Sequence, residues 1–340
     1  MEKKDYPKDE IHELLQTLDP PTYYDGSPLV KYNDFWSPLQ FLRRLLYTQR
    51  YFEAKDDDVI LASVPKSGTT WLKALSFSIV NRTVYTIDQN PLLTCNPHAL
   101  VPFLEHLQHE GNPGFISTPR IIATHIPFNN VPDSIRESKC RIIYICRNPL
   151  DQFISGRHFY QENNHVFREN KVEKDFELCE AFDLFCQGIY PYGPFWDHML
   201  GYWNAHLKNP EKVLFLKYED LKGDIALYIK KIAEFLGCPF SVEEEKQGLV
   251  EEIAKLCSFE NLKNLEVNKS GYLSNGVKSS SFFRKGEVRD WGNYLSPAMA
   301  QRFQKVMYSK LEGSEVLWIT SHSAILSLQK NSKKTWRHLN

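Results

Sequence analysis

Residues 59–73, VILASVPKSGTTWLK, decide the fold. Val59 to Val64 is a continuous apolar run of the kind that forms a strand buried on both faces, and Thr69 to Val80 then carries apolar residues at helical spacing. Pro65 breaks the run, and Lys66-Ser67-Gly68-Thr69-Thr70-Trp71 opens it into the helix. A loop joining two such elements aims backbone N–H groups at a helix N-terminus, where unpaired donors and the positive end of the macrodipole favour an anion. Lys66 adds a mobile cation, Gly68 lets the backbone approach a ligand, and Thr69 and Thr70 are expected to cap the helix and donate hydroxyls. The stretch reads as a phosphate cradle, although an ordinary strand-to-helix turn with Thr caps has the same composition.

Outward from this stretch, three further compact β-rich runs occur: RIIAT (Arg120 to Thr124), RIIYIC (Arg141 to Cys146) and VLFLKY (Val213 to Tyr218). Leu150 to Tyr160, Phe195 to His206, Ile225 to Leu236 and Val242 to Cys257 carry apolar residues at three- and four-residue spacing and are expected to be helices. Strands alternating with helices predict an α/β fold: one domain with a central, mostly parallel sheet flanked by helices, in which ligands sit beyond the carboxyl ends of the strands. The cradle after Val64 lies at such an end. Pro91, Pro97, Pro102, Pro113 and Pro119 punctuate a stretch read as long connecting loops, and Lys269 to Ser281 is rich in Ser, Gly and Asn. Both are candidate walls or lids of a site.

Bulk properties narrow the partners. The 340 residues, 42% of them hydrophobic, suffice for a sizeable core, and a formal net charge of −1 provides no general field for nucleic acid or an anionic membrane. An anionic ligand must therefore be caught by a local cluster, which points to a small molecule. The seven cysteines are odd in number, scattered and without C-x-x-C spacing, which fits a reducing compartment. The opening MEKKDYPKDEIHELLQTL mixes charges and lacks an apolar core, so neither a signal nor a transit peptide is expected. No stretch approaches the roughly 20 apolar residues that span a bilayer, and a soluble cytosolic protein is expected.

Two more signals suit phosphate. Arg147-Asn148-Pro149 follows the run at 141–146, and Ser155 lies eight residues after the arginine, about two helical turns along. Arg147 and Ser155 are thus placed to grip one phosphate, or Arg147 merely braces a turn. Phe282-Phe283-Arg284-Lys285-Gly286, with Asp290-Trp291 close behind, pairs a guanidinium fork with an ammonium point charge; a solvated basic pair is the plain reading. His125 ends the run Ile121 to Thr124 just before Pro127, at the same expected sheet edge as the cradle, but eleven histidines make position alone weak. His106-x-x-His109 lacks a metal-binding pattern and reads as surface loop, and the residues present require no metal.

The order PKSGTTW, then RNP with Ser eight residues on, then RKG followed by DW resembles the cytosolic sulfotransferases, whose donor is 3′-phosphoadenylyl sulfate. The resemblance runs from about Phe52 to about Gly313. GPFWDH (Gly193 to His198) and VLFLKYEDL (Val213 to Leu221) are similar to the plant branch. It implies a P-loop-like sulfotransferase fold over 46–313, an N-terminal segment 1–45 packed near the acceptor pocket, and a divergent, poorly ordered tail over 314–340. It also implies that Lys66, Ser67, Gly68, Thr69 and Thr70 hold the 5′-phosphosulfate and that Arg147, Ser155, Arg284, Lys285 and Gly286 bind the 3′-phosphate. Trp71, Tyr218 and Phe259 would surround the adenine. Lys66, His125 and Ser155 would be catalytic, with His125 the general base toward the acceptor hydroxyl and Lys66 neutralising charge on the leaving oxygen. Phe103, His125 and Phe159 would contact the acceptor.

The implied reaction moves the sulfuryl group to a hydroxyl of a small acceptor, leaving adenosine 3′,5′-bisphosphate. Pocket aromatics favour flat flavonoid or phenolic rings as acceptor. Departures from the family pattern are local. Ala123 stands where many animal members carry Lys, so acceptor positioning differs from theirs. Arg289 replaces a usual small residue and Gly292 a frequent Lys. The animal dimerisation motif falls on Gly292, Ser296, Pro297 and Gln301, so a monomer or weak dimer is expected. A nucleoside triphosphatase would need GxxxxGK[ST] and a dinucleotide dehydrogenase GxGxxG, both absent. A catalytically idle protein of the same fold, holding nucleotide or an apolar ligand, stays open as the alternative.

Overall fold

A computed structural model describes residues 13–14, 16–107, 119–168, 177–314 and 316. His109 and, save Ser314 and Val316, the expected tail lie outside the described residues. The described strands are β1 (Thr22–Tyr24), β2 (Ser27–Tyr32), β3 (Phe35–Pro38), β4 (Val59–Ala62), β5 (Ile121–Thr124), β6 (Arg141–Cys146) and β7 (Val213–Lys217).

The last four strands form a parallel sheet in the order β5-β4-β6-β7, with Ala62 level with Thr124 on one side and Tyr144 on the other, and Cys146 level with Lys217. Every residue of β4 and β5 is buried, as continuous apolar strands covered on both faces must be. Strand alternation sorts the side chains into two cores. Ile60, Ile122, Ile142 and Tyr144 join Phe153 of the helix Pro149–Glu162, Phe182 and Phe185 of Leu178–Cys186, Tyr202 of Phe195–Lys208 and Phe303 of Pro297–Leu311. Leu61, Ile121, Ile143 and Ile145 face Leu72 and Leu75 of the helix Thr69–Val80, Ile229 and Ile232 of Ile225–Phe235, and Ile253 of Leu249–Leu256. At about 1.5–3 kcal/mol for each fully buried Leu, Ile or Phe, against about 0–1 for a surface pair such as Lys269–Glu266, these two layers set the stability.

β1, β2 and β3 form a separate antiparallel sheet that the alternating pattern did not lead us to expect. Its two-residue turns, Asp25-Gly26 and Asn33-Asp34, have positive φ throughout (50°, 83°, 43° and 67°), the conformation that matches strand twist in a hairpin. Trp36 on β3 exchanges backbone hydrogen bonds with the 192–193 segment, donating to Gly193 O and accepting from Tyr192 N–H, both at 2.8 Å. The small sheet thereby holds Tyr192 beside the site.

Other expectations need correction. Tyr218 does not end β7 but begins the helix Tyr218–Gly223. Val242 to Cys257 is two helices, Val242–Lys246 and Leu249–Leu256, because Gly248 at φ 78° breaks the ladder between them. The Pro-punctuated stretch carries short turns of helix, Pro91–Leu93, Pro97–Leu100 and Leu104–His106. His106 is half-buried in a helical turn rather than on a surface loop, and it lines the central cavity beside Phe41 and Phe103, with ring centroids 5.4 and 5.6 Å away. The seven cysteines form no disulfide. Among the described residues no helix is long and apolar enough to cross a membrane.

Candidate active site

The strand order dictates the layout. Beyond the carboxyl ends of β5, β4, β6 and β7 the chain delivers His125, Lys66, Arg147 and Tyr218 in that sequence across the sheet edge. All four line one cavity of about 350 Å³. Gly68, Thr69, Thr70 and Trp71 from the first loop, Ser155 and Phe159 from the helix after β6, Phe103, Phe259, Arg284, Lys285 and Gly286 line it too. Ser67 does not; it is buried under the loop, its Oγ without a partner among the described residues.

The cradle is built differently from the expected capped turn. Gly68 is the N-cap, with no side-chain cap, so the first-turn N–H groups stay open to a ligand. Thr69 Oγ1 instead bonds Ser63 Oγ at 2.6 Å and Thr70 Oγ1 pairs with His98 Nε2 at 2.8 Å. Gly68 sits so close to Tyr218 that a Cβ would lie 2.9 Å from the ring. Lys66 adopts φ 69°, a left-handed conformation costing roughly 1–2 kcal/mol in a non-glycine residue and typical of functional loops. Its ammonium donates to Ser281 O at 3.2 Å and lies 4.2 Å from the centre of the Phe159 ring. Burial, with Arg147 and Arg284 nearby, lowers the Lys66 ammonium to about 7.

At the β6–β7 end the charges converge. The Arg147 guanidinium lies 4.6 Å over the Tyr218 ring and donates to Glu287 O. Arg284 and Lys285 each reach Asp290 at 2.7 Å. Burial alone would raise the Asp290 carboxyl, but bonds from Lys285, Asn293 and Arg284 hold it at about 2. Gly286 turns with φ 65° against Phe259, where a Cβ would meet the ring at 2.6 Å, and its carbonyl accepts from Tyr218 Oη at 3.0 Å and from Lys222. Trp71 meets Tyr218 edge-on at 5.5 Å. Buried Asp151, which follows Arg147-Asn148-Pro149, anchors this loop by accepting from Arg289 N–H at 2.7 Å and Trp291 N–H at 3.0 Å. Those bonds hold Arg289 at φ 67°, which explains why the family pattern has a small residue there.

The other end is aromatic. The His125 ring lies 4.7 Å from Phe103 and 5.5 Å from Tyr192. His125 Nδ1 is 2.7 Å from Ser63 O; a carbonyl only accepts, so Nδ1 carries the hydrogen and Nε2 keeps its lone pair. Burial pushes the imidazole down to about 3, so it is neutral at physiological pH. Glu105 accepts the His125 backbone N–H at 2.8 Å and the Thr124 hydroxyl at 3.1 Å, and burial raises its carboxyl to about 7. His198 donates from Nε2 to His125 O at 3.0 Å. Tyr192, Glu105 and His98 were missed by the sequence reading, each being distant in the chain from the residues it touches; Phe282 was read only as part of the basic RKG signal, whereas it stacks on His98 at 4.0 Å.

The buried polar atoms left without partners among the described residues include Trp71 Nε1, Arg147 Nε and Arg284 Nε, together with Ser67 Oγ. The first three belong to residues that line the cavity's basic end, and unpaired donors there fit a polyanionic ligand. A family model for the sulfotransferase domain matches residues 56–315. Cytosolic sulfotransferase 15 of Arabidopsis thaliana is 45% identical over 313 residues, covering 90% of this chain and 86% of that protein. The crystal structure of an Arabidopsis thaliana sulphotransferase aligns with a TM-score of 0.70 at 35% identity, covering 93% of this chain and 98% of the other. Mouse sulfotransferase SULT7A1 complexed with PAP aligns at 0.63 and 28% identity, covering 86% and 97%. The chain belongs to the sulfotransferase family, in its plant-type branch.

Proposed function

We propose that this sulfotransferase moves the sulfuryl group of 3′-phosphoadenylyl sulfate to a hydroxyl of a small phenolic or flavonoid acceptor in the cytoplasm, with His125 as general base. One observation carries the reading: a single cavity has a guanidinium-rich end, an aromatic end with a neutral imidazole, and Lys66 between them. The related SULT7A1 structure holds PAP, which supports adenosine 3′,5′-bisphosphate as the product. Residues 46–313 form the catalytic domain in this reading, and Pro38 and Phe41 of the N-terminal segment line the aromatic end. The protein acts as a monomer or weak dimer.

The donor supplies an activated sulfuryl group, and the chain's task is positioning and charge stabilisation. Arg147, Ser155, Arg284, Lys285 and Gly286 hold the 3′-phosphate; Lys66, Gly68, Thr69 and Thr70 hold the 5′ end; Trp71, Tyr218 and Phe259 enclose the base. His125 Nε2 takes the acceptor proton while its Nδ1–H stays on Ser63 O. Phe103 and Phe159 flank the acceptor ring. Lys66 stabilises the leaving oxygen with its ammonium.

The direct test incubates purified protein with 3′-phosphoadenylyl sulfate and a panel of hydroxylated phenols and flavonoids. Sulfated product and released bisphosphate are expected in equal amounts. Tight bisphosphate binding without turnover on any acceptor would favour the idle binding protein instead. A second expectation concerns Arg284→Ala. Loss of charge-assisted bonds to the 3′-phosphate weakens adenosine 3′,5′-bisphosphate roughly ten- to a hundredfold. Binding of 5′-AMP, which lacks that phosphate, changes little by calorimetry; equal weakening of both nucleotides would remove Arg284 from the 3′-phosphate site.

A further inference from the structure

Thr70 and Lys73 stand three residues apart on the helix Thr69–Val80 and so share a face. Between their side chains lies the ring of His98, from the short helix Pro97–Leu100. Lys73 Nζ is 3.0 Å from His98 Nδ1, and His98 Nε2 is 2.8 Å from Thr70 Oγ1. The ring is fixed on every side. It stacks on Phe282 at 4.0 Å and faces Phe103 at 5.5 Å, interplanar angles 29° and 27°. Its backbone N–H donates to Asn96 Oδ1 at 2.9 Å, and Asn96 in turn donates to Asn268 Oδ1 at 2.8 Å. Lys73 is fully buried, its ammonium 3.5 Å over the Phe103 ring, a cation–π contact that offsets part of its desolvation.

The donors and acceptors fix a direction. An ammonium has only hydrogens to give, so His98 Nδ1 accepts and the ring hydrogen sits on Nε2. Nε2–H then donates to Thr70 Oγ1, and the Thr70 hydroxyl has its own hydrogen to offer elsewhere. Thr70 lines the cavity in the cradle after β4. We propose that Lys73, His98 and Thr70 form a hydrogen-bond relay that turns the Thr70 hydroxyl hydrogen toward the sulfonated 5′-phosphate, making Lys73 and His98 positioning residues for sulfuryl transfer. Burial and the Lys73 charge hold the His98 imidazole well below its ordinary value, so the ring relays as a neutral group. A chain that begins on a cation polarises each following bond, and a hydroxyl pre-aimed at oxygens that gain charge in the transition state stabilises that state without reorganising. The relay rests on the donor reading above. It also ties the donor cradle to the acceptor wall, because the same Lys73 packs on Phe103.

The test is a double-mutant cycle on the full chain. His98→Phe keeps the stacked ring and removes both nitrogens; Thr70→Val keeps the shape and removes the hydroxyl. Each is expected to lower kcat about tenfold at saturating donor, within the range for residues coupled in one network. In the Thr70→Val background, His98→Phe should then change kcat less than about twofold. Lys73→Met should resemble His98→Phe, and it serves in its place if the histidine variant does not fold. Nitrogen-15 shifts of the His98 ring in the wild-type protein should report the Nε2–H tautomer. Independent, multiplying losses, or an Nδ1–H tautomer, would overturn the relay. Absence of adenosine 3′,5′-bisphosphate binding to the wild type would overturn the donor reading instead, while the tautomer still judges the relay's direction.

Discussion

Replacing His125 with alanine is expected to lower kcat about 10²–10⁴-fold, the usual contribution of a positioned general base. The affinity for adenosine 3′,5′-bisphosphate should stay within about twofold of wild type by calorimetry, because the imidazole stands at the opposite end of the cavity from Arg147 and Arg284. The backbone at residue 125 is tied on both sides, its N–H to Glu105 and its carbonyl to His198, so the truncated side chain leaves the site's frame in place. A pH profile sharpens the test. The imidazole is held at about 3 in the free pocket, chiefly by burial. A nearby anion favours the protonated ring and raises that value, so the acid limb of kcat, which reports the loaded enzyme, lies at higher pH than the limb of kcat/KM. Full activity in the alanine variant would refute the base; equal loss of turnover and nucleotide binding would make His125 structural.

What could be read in advance was what local pattern encodes. The four apolar runs became β4 to β7 within two residues at each end, because a strand buried on both faces has only one composition to choose from. Phosphate-type residues after two of those runs and in the RKG turn met in one cavity with His125, which follows a third run, since a parallel sheet gathers its carboxyl ends at one edge. What escaped was carried by distance or by competition between partners. Thr69 and Thr70 have the composition of caps, yet Ser63 and His98, remote from the helix's own pattern, take their hydroxyls. Tyr192 reaches His125 only because Trp36 pairs with the 192–193 segment. The first hairpins carried a readable signal in Asp25-Gly26 and Asn33-Asp34, but β1 and β3 are too short to show alternation and the first four residues of β2 are all buried. Arg289 in a left-handed turn makes sense only once Asp151 is seen holding its N–H.

Lys66→Met is expected to cost about 10²–10³ in kcat, the range for losing one electrostatic group aimed at developing charge. It should also change how donor-site affinity depends on pH, which separates charge from shape. In the free protein Lys66 is held near 7, first by burial and then by the repulsion of Arg147 and Arg284. A bisphosphate bound between these groups favours the ammonium and raises its value, so binding takes up a proton. Below about 7 the lysine is already charged in the free protein and affinity is flat. Above that value each mole bound must protonate it, and affinity falls about tenfold per pH unit until the raised value of the complex is reached. Methionine keeps most of the contact with Phe159 and Phe282 but has no proton to gain, so the slope between pH 7 and 9 should vanish while binding at pH 9 changes little. Calorimetry in buffers of different ionisation heat measures the proton directly. A wild-type affinity flat across that range, with no proton uptake, would show that Lys66 does not meet the bound anion as an ammonium in equilibrium with its neutral form, and its place at the leaving oxygen would fall with it.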